Sequence, residues 1–115
     1  MTEDAAPFAL LVRFTVRPQA EADFDNLIAR TTAGIRDREP GTLVYACHRV
    51  DGVPRQRIFY ELYRDRAAFE EHERQEHVRH FLAAREALLE STEVDFLTLT
   101  DGKTPVAAQA AGSRG

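Results

Sequence analysis

The 115-residue chain has a single cysteine, no run of basic residues and no long apolar segment. With Cys47 alone, an intrachain disulfide and a cysteine-rich metal site are both excluded. Lys and Arg number 15 against 19 Asp and Glu, a formal net charge of -4. Without a basic patch, nothing favours nucleic acid or an anionic membrane surface as a partner. The apolar run Phe8 to Val12 is cut by Arg13 and is far too short to span a bilayer. Met1-Thr2-Glu3-Asp4 is acidic where a signal peptide would be basic, so the expectation is a cytoplasmic protein. The chain also lacks a glycine-rich phosphate loop, a nucleotide fingerprint and a nucleophile elbow.

What remains is a soluble globular composition, 43% hydrophobic and 30% charged, of a length that fits one domain. Phe8 to Arg17 alternates as a strand, with Leu10, Val12, Phe14 and Val16 on one face. Ala20 to Glu39 reads as a helix, because Phe24, Leu27, Ile28, Thr31 and Ile35 recur at three- and four-residue steps. Pro40-Gly41 stops it. Thr42 to Val50 is a second strand. Asp51-Gly52 is a turn that leaves Pro54 in the loop, and Arg57 to Arg64 is a third strand, antiparallel to the second. Asp65 suits the N-cap of the helical stretch that runs to Glu90. Its apolar stripe loses phase between Glu73 and Glu76, which predicts a short helix followed by a longer one. Glu93 to Thr100 is the last strand. The ends, 1–7 and 101–115, carry no periodic pattern and are expected to be flexible.

The order strand, helix, strand, strand, helix, strand is the α+β ferredoxin-like βαββαβ unit: a four-stranded antiparallel sheet with its helices on one face. Both faces of all four strands carry large apolar side chains, whereas a sheet with one wet face alternates cleanly. The helices cover only one face. The second face is therefore expected to pack on a second copy of the chain, giving a homodimer with a barrel-like core.

The densest polar chemistry among apolar residues lies in Phe59-Tyr60-Glu61-Leu62-Tyr63-Arg64-Asp65 and on to His72 and His77. Glu61 and Tyr63 share one strand face. A buried carboxylate needs a partner or a proton, so Glu61 either forms an ion pair with Arg13, Arg57 or Arg85, or orients a histidine or a substrate hydroxyl. Tyr63 is either a core aromatic or a pocket wall. His72 follows Phe69 by three residues, on the side expected to face the sheet, and is the first choice as general base. His77 sits at the expected helix break and ranks second. His48, on a strand, is a lesser candidate. His77 and His80 could share a helix face, but no third ligand is arranged beside them, so no metal is expected.

Glu39-Pro40-Gly41-Thr42-Leu43-Val44-Tyr45, Ile58 through Phe69, and the spaced His72 and His77 together resemble the antibiotic biosynthesis monooxygenase family. The resemblance runs from Phe8 to about Thr100. It implies a dimeric α+β barrel and, for some members, oxidation of quinols or aromatic polyketides with neither metal nor flavin. Many members carry Trp where Tyr63 stands, and some catalytic members carry Asn where Leu62 stands. Haem-degrading relatives use that Trp and an Asn on the first strand. This chain has no Trp at all and no Asn on its first strand, which moves haem degradation well down the order.

The reading that follows is a cofactor-independent monooxygenase acting with O2 on a small phenolic, hydroquinone or polyketide-like substrate to give a quinone. His72 and His77 are the expected bases, and Glu61 and Tyr63 the groups that orient ring hydroxyls. Phe14, Phe59, Phe81, Phe96 and His48 are the expected pocket lining. The rival readings are a non-catalytic dimer that binds a small ligand or serves as a structural subunit, and an isomerase or lyase using the same histidines without oxygen.

Overall fold

Strand β1, Phe8–Val16, is one of two inner strands of a four-stranded sheet. The computed structural model describes residues 6–105, so most of the expected flexible ends, 1–5 and 106–115, lies outside the described residues. After β1 come α1 (Glu21–Arg38), β2 (Thr42–Val50), β3 (Val53–Tyr63), α2 (Arg66–Arg74), α3 (Glu76–Ala84), a 3-10 turn (Arg85–Ala87) and β4 (Leu89–Leu97). The sheet order is β2-β3-β1-β4, and every neighbouring pair is antiparallel. This is the split βαββαβ arrangement that the order of elements predicts.

Local chemistry explains the boundaries. Acidic Glu21 and Asp23 occupy the first turn of α1, and Arg36 and Arg38 the last, each favoured by the helix dipole. Phe24, Leu27, Thr31 and Ile35 are its buried stripe. The β2–β3 hairpin turns at Asp51-Gly52, where Gly52 takes φ 79°, open to glycine at no steric cost. Asp65 caps α2 by accepting the Ala68 amide at 2.8 Å. The helical stretch breaks at Gln75, whose extended backbone (φ -67°, ψ 141°) separates α2 from α3. The two are equal at 9 residues each, where the sequence predicts a short helix followed by a longer one.

Two boundaries differ from the sequence expectation. Strand β3 begins at Val53 and contains Pro54, instead of starting at Arg57. Its pairing with β1 ends at Gln56, so Pro54 lies beyond the reach of β1 and its missing N–H disturbs no bond there. Strand β4 runs from Leu89 to Leu97, shifted toward the N-terminus from Glu93–Thr100. The helix ends at Ala84, and Leu89 pairs with Val16 across a register shift in β1. A short apolar pair such as Leu88-Leu89 fits the end of a helix or the start of a strand equally well, and tertiary pairing decides.

The core lies between the sheet and the helices. Leu10, Val12, Phe14 and Val16 of β1 and Phe59 and Tyr63 of β3 meet Phe24 and Leu27 of α1 and Phe81 of α3. Phe14 anchors it with edge contacts to Phe24 (5.3 Å between centroids) and Phe59 (4.7 Å). Among the described residues no helix is long and apolar enough to cross a membrane.

Candidate active site

Glu61 faces the helices. It shares its face of β3 with Phe59 and Tyr63 and pairs in register with Leu10 of β1 and Tyr45 of β2. That face opens between sheet and helices into a cavity of about 160 Å³. Glu61, Tyr45, His72, Phe81, Arg85 and Phe96 are among its lining residues.

The polar groups are ordered by one buried carboxylate at the end of α1. Glu39 Oε1 accepts hydrogen bonds from His72 Nδ1 (2.7 Å) and Thr42 Oγ1 (2.7 Å), and Oε2 accepts from His77 Nε2 (2.5 Å). Burial alone would push the Glu39 carboxyl up, but the bonds from His72, Thr42 and His77 outweigh it and hold it below the ordinary carboxylate range. An ionised carboxylate only accepts, so His72 carries its proton on Nδ1. Its Nε2, which has no partner among the described residues, is left as a base at the cavity. A carboxylate fixing an imidazole tautomer is a recurrent catalytic device.

Glu61 answers to a different partner. Tyr63, fully buried, donates its hydroxyl to Glu61 Oε1 at 2.5 Å. Burial raises the Glu61 carboxyl, with the nearby Glu39 charge adding to it, and the Tyr63 bond only partly offsets this. The two carboxylates are thus driven apart, Glu39 toward the ionised form and Glu61 toward the protonated one. Burial and the Glu61 charge hold the phenols of Tyr45 and Tyr63 well above their ordinary value. Burial pushes the Cys47 thiol up to about 12, so it is no nucleophile.

The expected ion pair of Glu61 does not form. Arg57 is bidentate to Asp25 (2.8 and 3.0 Å), Arg13 bonds Gln56 on the other face of the sheet, and Arg85 stays outside ion-pair distance. Of the residues expected to line the pocket, Phe81 and Phe96 do so, while Phe14 and Phe59 are core beneath it. His48 pairs in register with Ile58 and so lies on the opposite face of the sheet, exposed. His77 does not line the cavity. It opens on a separate cleft with Arg30, Arg38 and His80, and touches the site only through Glu39. Gly34 lets it approach α1 so closely that a Cβ there would lie 2.6 Å from the imidazole.

Sequence reasoning missed Glu39, Tyr45 and Arg85 as site residues. Glu39 did leave a trace: an acidic residue at a helix C-terminus opposes the dipole and calls for compensating donors. Among the described residues no group of three or more His, Cys, Asp or Glu could hold a metal ion.

The model of the family described as antibiotic biosynthesis monooxygenase matches residues 7–84, and the chain belongs to that family. Strands β1 to β3 and all of the Glu39, Glu61, Tyr63, His72 and His77 cluster fall inside that span, while β4 and the cavity residues Arg85, Val94 and Phe96 lie beyond it. Among solved structures, PA3566 from Pseudomonas aeruginosa is 27% identical, with a TM-score of 0.77, covering 87% of this chain and 100% of that one. Rv0793 from Mycobacterium tuberculosis is 26% identical, with a TM-score of 0.79, covering 86% and 100%. SnoaB, a cofactor-independent oxygenase from Streptomyces nogalater, is 24% identical, with a TM-score of 0.74 over 85% and 97%, a likeness of fold alone. No curated protein matches the chain.

Proposed function

We propose that the chain is a cofactor-independent monooxygenase that oxidises a small phenolic or hydroquinone-type substrate with O2 to a quinone. The observation that carries this reading is His72, its Nδ1 fixed by Glu39 and its Nε2 free beside a cavity with aromatic walls. A phenol with a pKa of about 10 reduces oxygen readily only as its anion. His72 Nε2 takes that proton, and Glu39 stabilises the resulting imidazolium. The anion, flanked by Glu61 and Tyr45, passes electrons to O2. A ring carbon of the anion gains one oxygen atom and loses its single hydrogen to become the new carbonyl. The other oxygen atom leaves as water with that hydrogen and the phenolic proton. A phenol so oxidised gives a quinone, and a hydroquinone a hydroxyquinone. The substrate supplies the electrons, so the balance requires no further reductant. Phe81, Phe69 and Val12 give the intermediate an apolar wall that limits water.

The proposal carries with it a cytoplasmic homodimer in which the second sheet face is covered by another copy. Oxygen uptake with a panel of hydroquinones and anthrone-like phenols, on protein treated with chelator, tests the activity. Uptake is expected to fall by about 10²- to 10⁴-fold in His72→Ala. No uptake across the panel would overturn the oxygenase reading, and unchanged uptake in His72→Ala would overturn the base.

A further inference from the structure

Arg85 is the one cationic arginine of the cavity, and the proposed chemistry leaves it unused. It opens the 3-10 turn after α3, is half-buried, and lines the same cavity as Glu61, His72 and Tyr45. No carboxylate lies within ion-pair distance of it among the described residues, and its side chain donates no hydrogen bond. Arg49, Arg55, Arg57, Arg64 and Arg74 each pair with an acid, while other arginines such as Arg30, Arg38 and Arg79 do not among the described residues; what sets Arg85 apart is that it lines this cavity. What holds Arg85 is aromatic: its guanidinium lies over the rings of Phe14 (5.7 Å) and Phe81 (5.8 Å).

Such a placement leaves the donor fork without a protein acceptor among the described residues. A guanidinium does not lose its charge in a protein, and its planar donors match a carboxylate two-to-two. Two acids line the cavity, and neither neutralises it. Glu61 is engaged by Tyr63 and disposed toward its neutral form. Glu73 is exposed on α2, beyond ion-pair distance. A partly desolvated cation at the wall of an aromatic cavity is completed by an anion that enters with the ligand. Size narrows the ligand further. The 160 Å³ of the cavity is close to the roughly 150 Å³ of an apolar cavity that holds one benzene.

We propose that Arg85 anchors a carboxylate, and that the ligand is a single-ring hydroxylated aromatic acid whose acid group meets Arg85 while a ring hydroxyl meets His72. The inference rests on the reading of this cavity as the substrate site. It does not need turnover.

The test is anaerobic calorimetric titration of the full chain with 2,5-dihydroxybenzoate and with its neutral analogue 2,5-dihydroxybenzamide. The acid is expected to bind about tenfold to a hundredfold more tightly than the amide. That preference should vanish in Arg85→Gln and survive in part in Arg85→Lys, which keeps the charge but not the fork. Equal binding of the two probes, binding of neither, or a preference that persists in Arg85→Gln would overturn the proposal. Oxygen uptake separates it from the oxygenase reading. Acid preference without uptake defeats the oxygenase and leaves the anchor; uptake with no acid preference does the reverse.

Discussion

At the scale of single residues, the site is two carboxylates set to opposite tasks. Glu39 is held ionised by three donors, and Glu61 is held toward its protonated form by burial. Replacing Glu39 with Gln removes the charge that fixes His72 and steadies its imidazolium. The expected loss is about 10- to 100-fold in kcat, the usual range for a group that orients a reacting residue, with KM little changed; steady-state oxygen uptake reads it. Stability follows the sign of each shift. The folded-state carboxyl of Glu39 lies below its unfolded value. Its contribution is therefore full above an unfolded pKa of about 4.3 and is lost as pH falls through the folded value. Melting curves across that range should show a stability loss that is shallower in Glu39→Gln. Glu61 is shifted the other way, so its contribution is full at low pH and lost as pH rises through its raised value. Glu61→Gln, whose amide oxygen still accepts from Tyr63, should melt higher than the parent at neutral pH while losing activity. A lower melting point there would contradict the assignment of burial as the dominant force on Glu61. Glu61, Tyr63 and His72 were legible in the sequence because strand alternation and helical spacing set them within a short stretch. Glu39 was not, because its bonds to His72 and His77 span 33 and 38 residues and no local period encodes them. Arg85 was read only as a partner for Glu61, since spacing says nothing of which charges end up unpaired.

At the scale of elements, α1 and α3 are held at a distance set by one missing side chain. The break at Gln75 was legible from the lost phase of the stripe, and it aims His77 at α1. That α1 has a glycine waiting there was not legible, because Gly34 looks like a mere weakness inside a helix. Helix propensity alone would make Gly34→Ala stabilising by about 1 kcal/mol. Here the new Cβ would fall 2.6 Å from Cγ of His77, the inner end of a side chain already bonded to Glu39. Overpacking of this kind costs about 1–3 kcal/mol, so the net change is expected to be destabilising. The sign should reverse once the ring is gone. In a His77→Ala background, Gly34→Ala is expected to stabilise by about 1 kcal/mol. Chemical denaturation of the four proteins closes the cycle, and additive effects would remove His77 as the reason for the glycine.

At the scale of the whole molecule, the sheet has one face too many. Its inner face is buried by the helices over β1 and β3, while Val94 and Phe96 of β4 stay exposed. Its outer face presents Leu11 from β1, Ile58 and Tyr60 from β3 and Val44 from β2, all half-buried and none covered by a helix. For β1, β2 and β3 this was legible in the sequence as strands apolar on both sides; β4 departs from that expectation, because its register turns Ser91, Glu93 and Asp95 to the outer face. Arg13, bonded to Gln56 at 3.1 Å, lies on this face, with Glu93 and Asp95 beside it on β4, and the apolar surface from β1 to β2 can meet an identical copy about a twofold axis. A 115-residue chain gains much from such a partner, because small domains bury a low fraction of their surface alone. The expected species at micromolar concentration is therefore twice the 13.0 kDa chain mass by light scattering. Tyr60→Glu would set two carboxylates in the centre of that interface, near its own symmetry mate, and should shift the population to monomer. Because Tyr60 points away from the cavity, the monomer should keep the His72–Glu39 pair. A parent protein that scatters as a stable monomer would mean that the outer face is covered from within the chain instead.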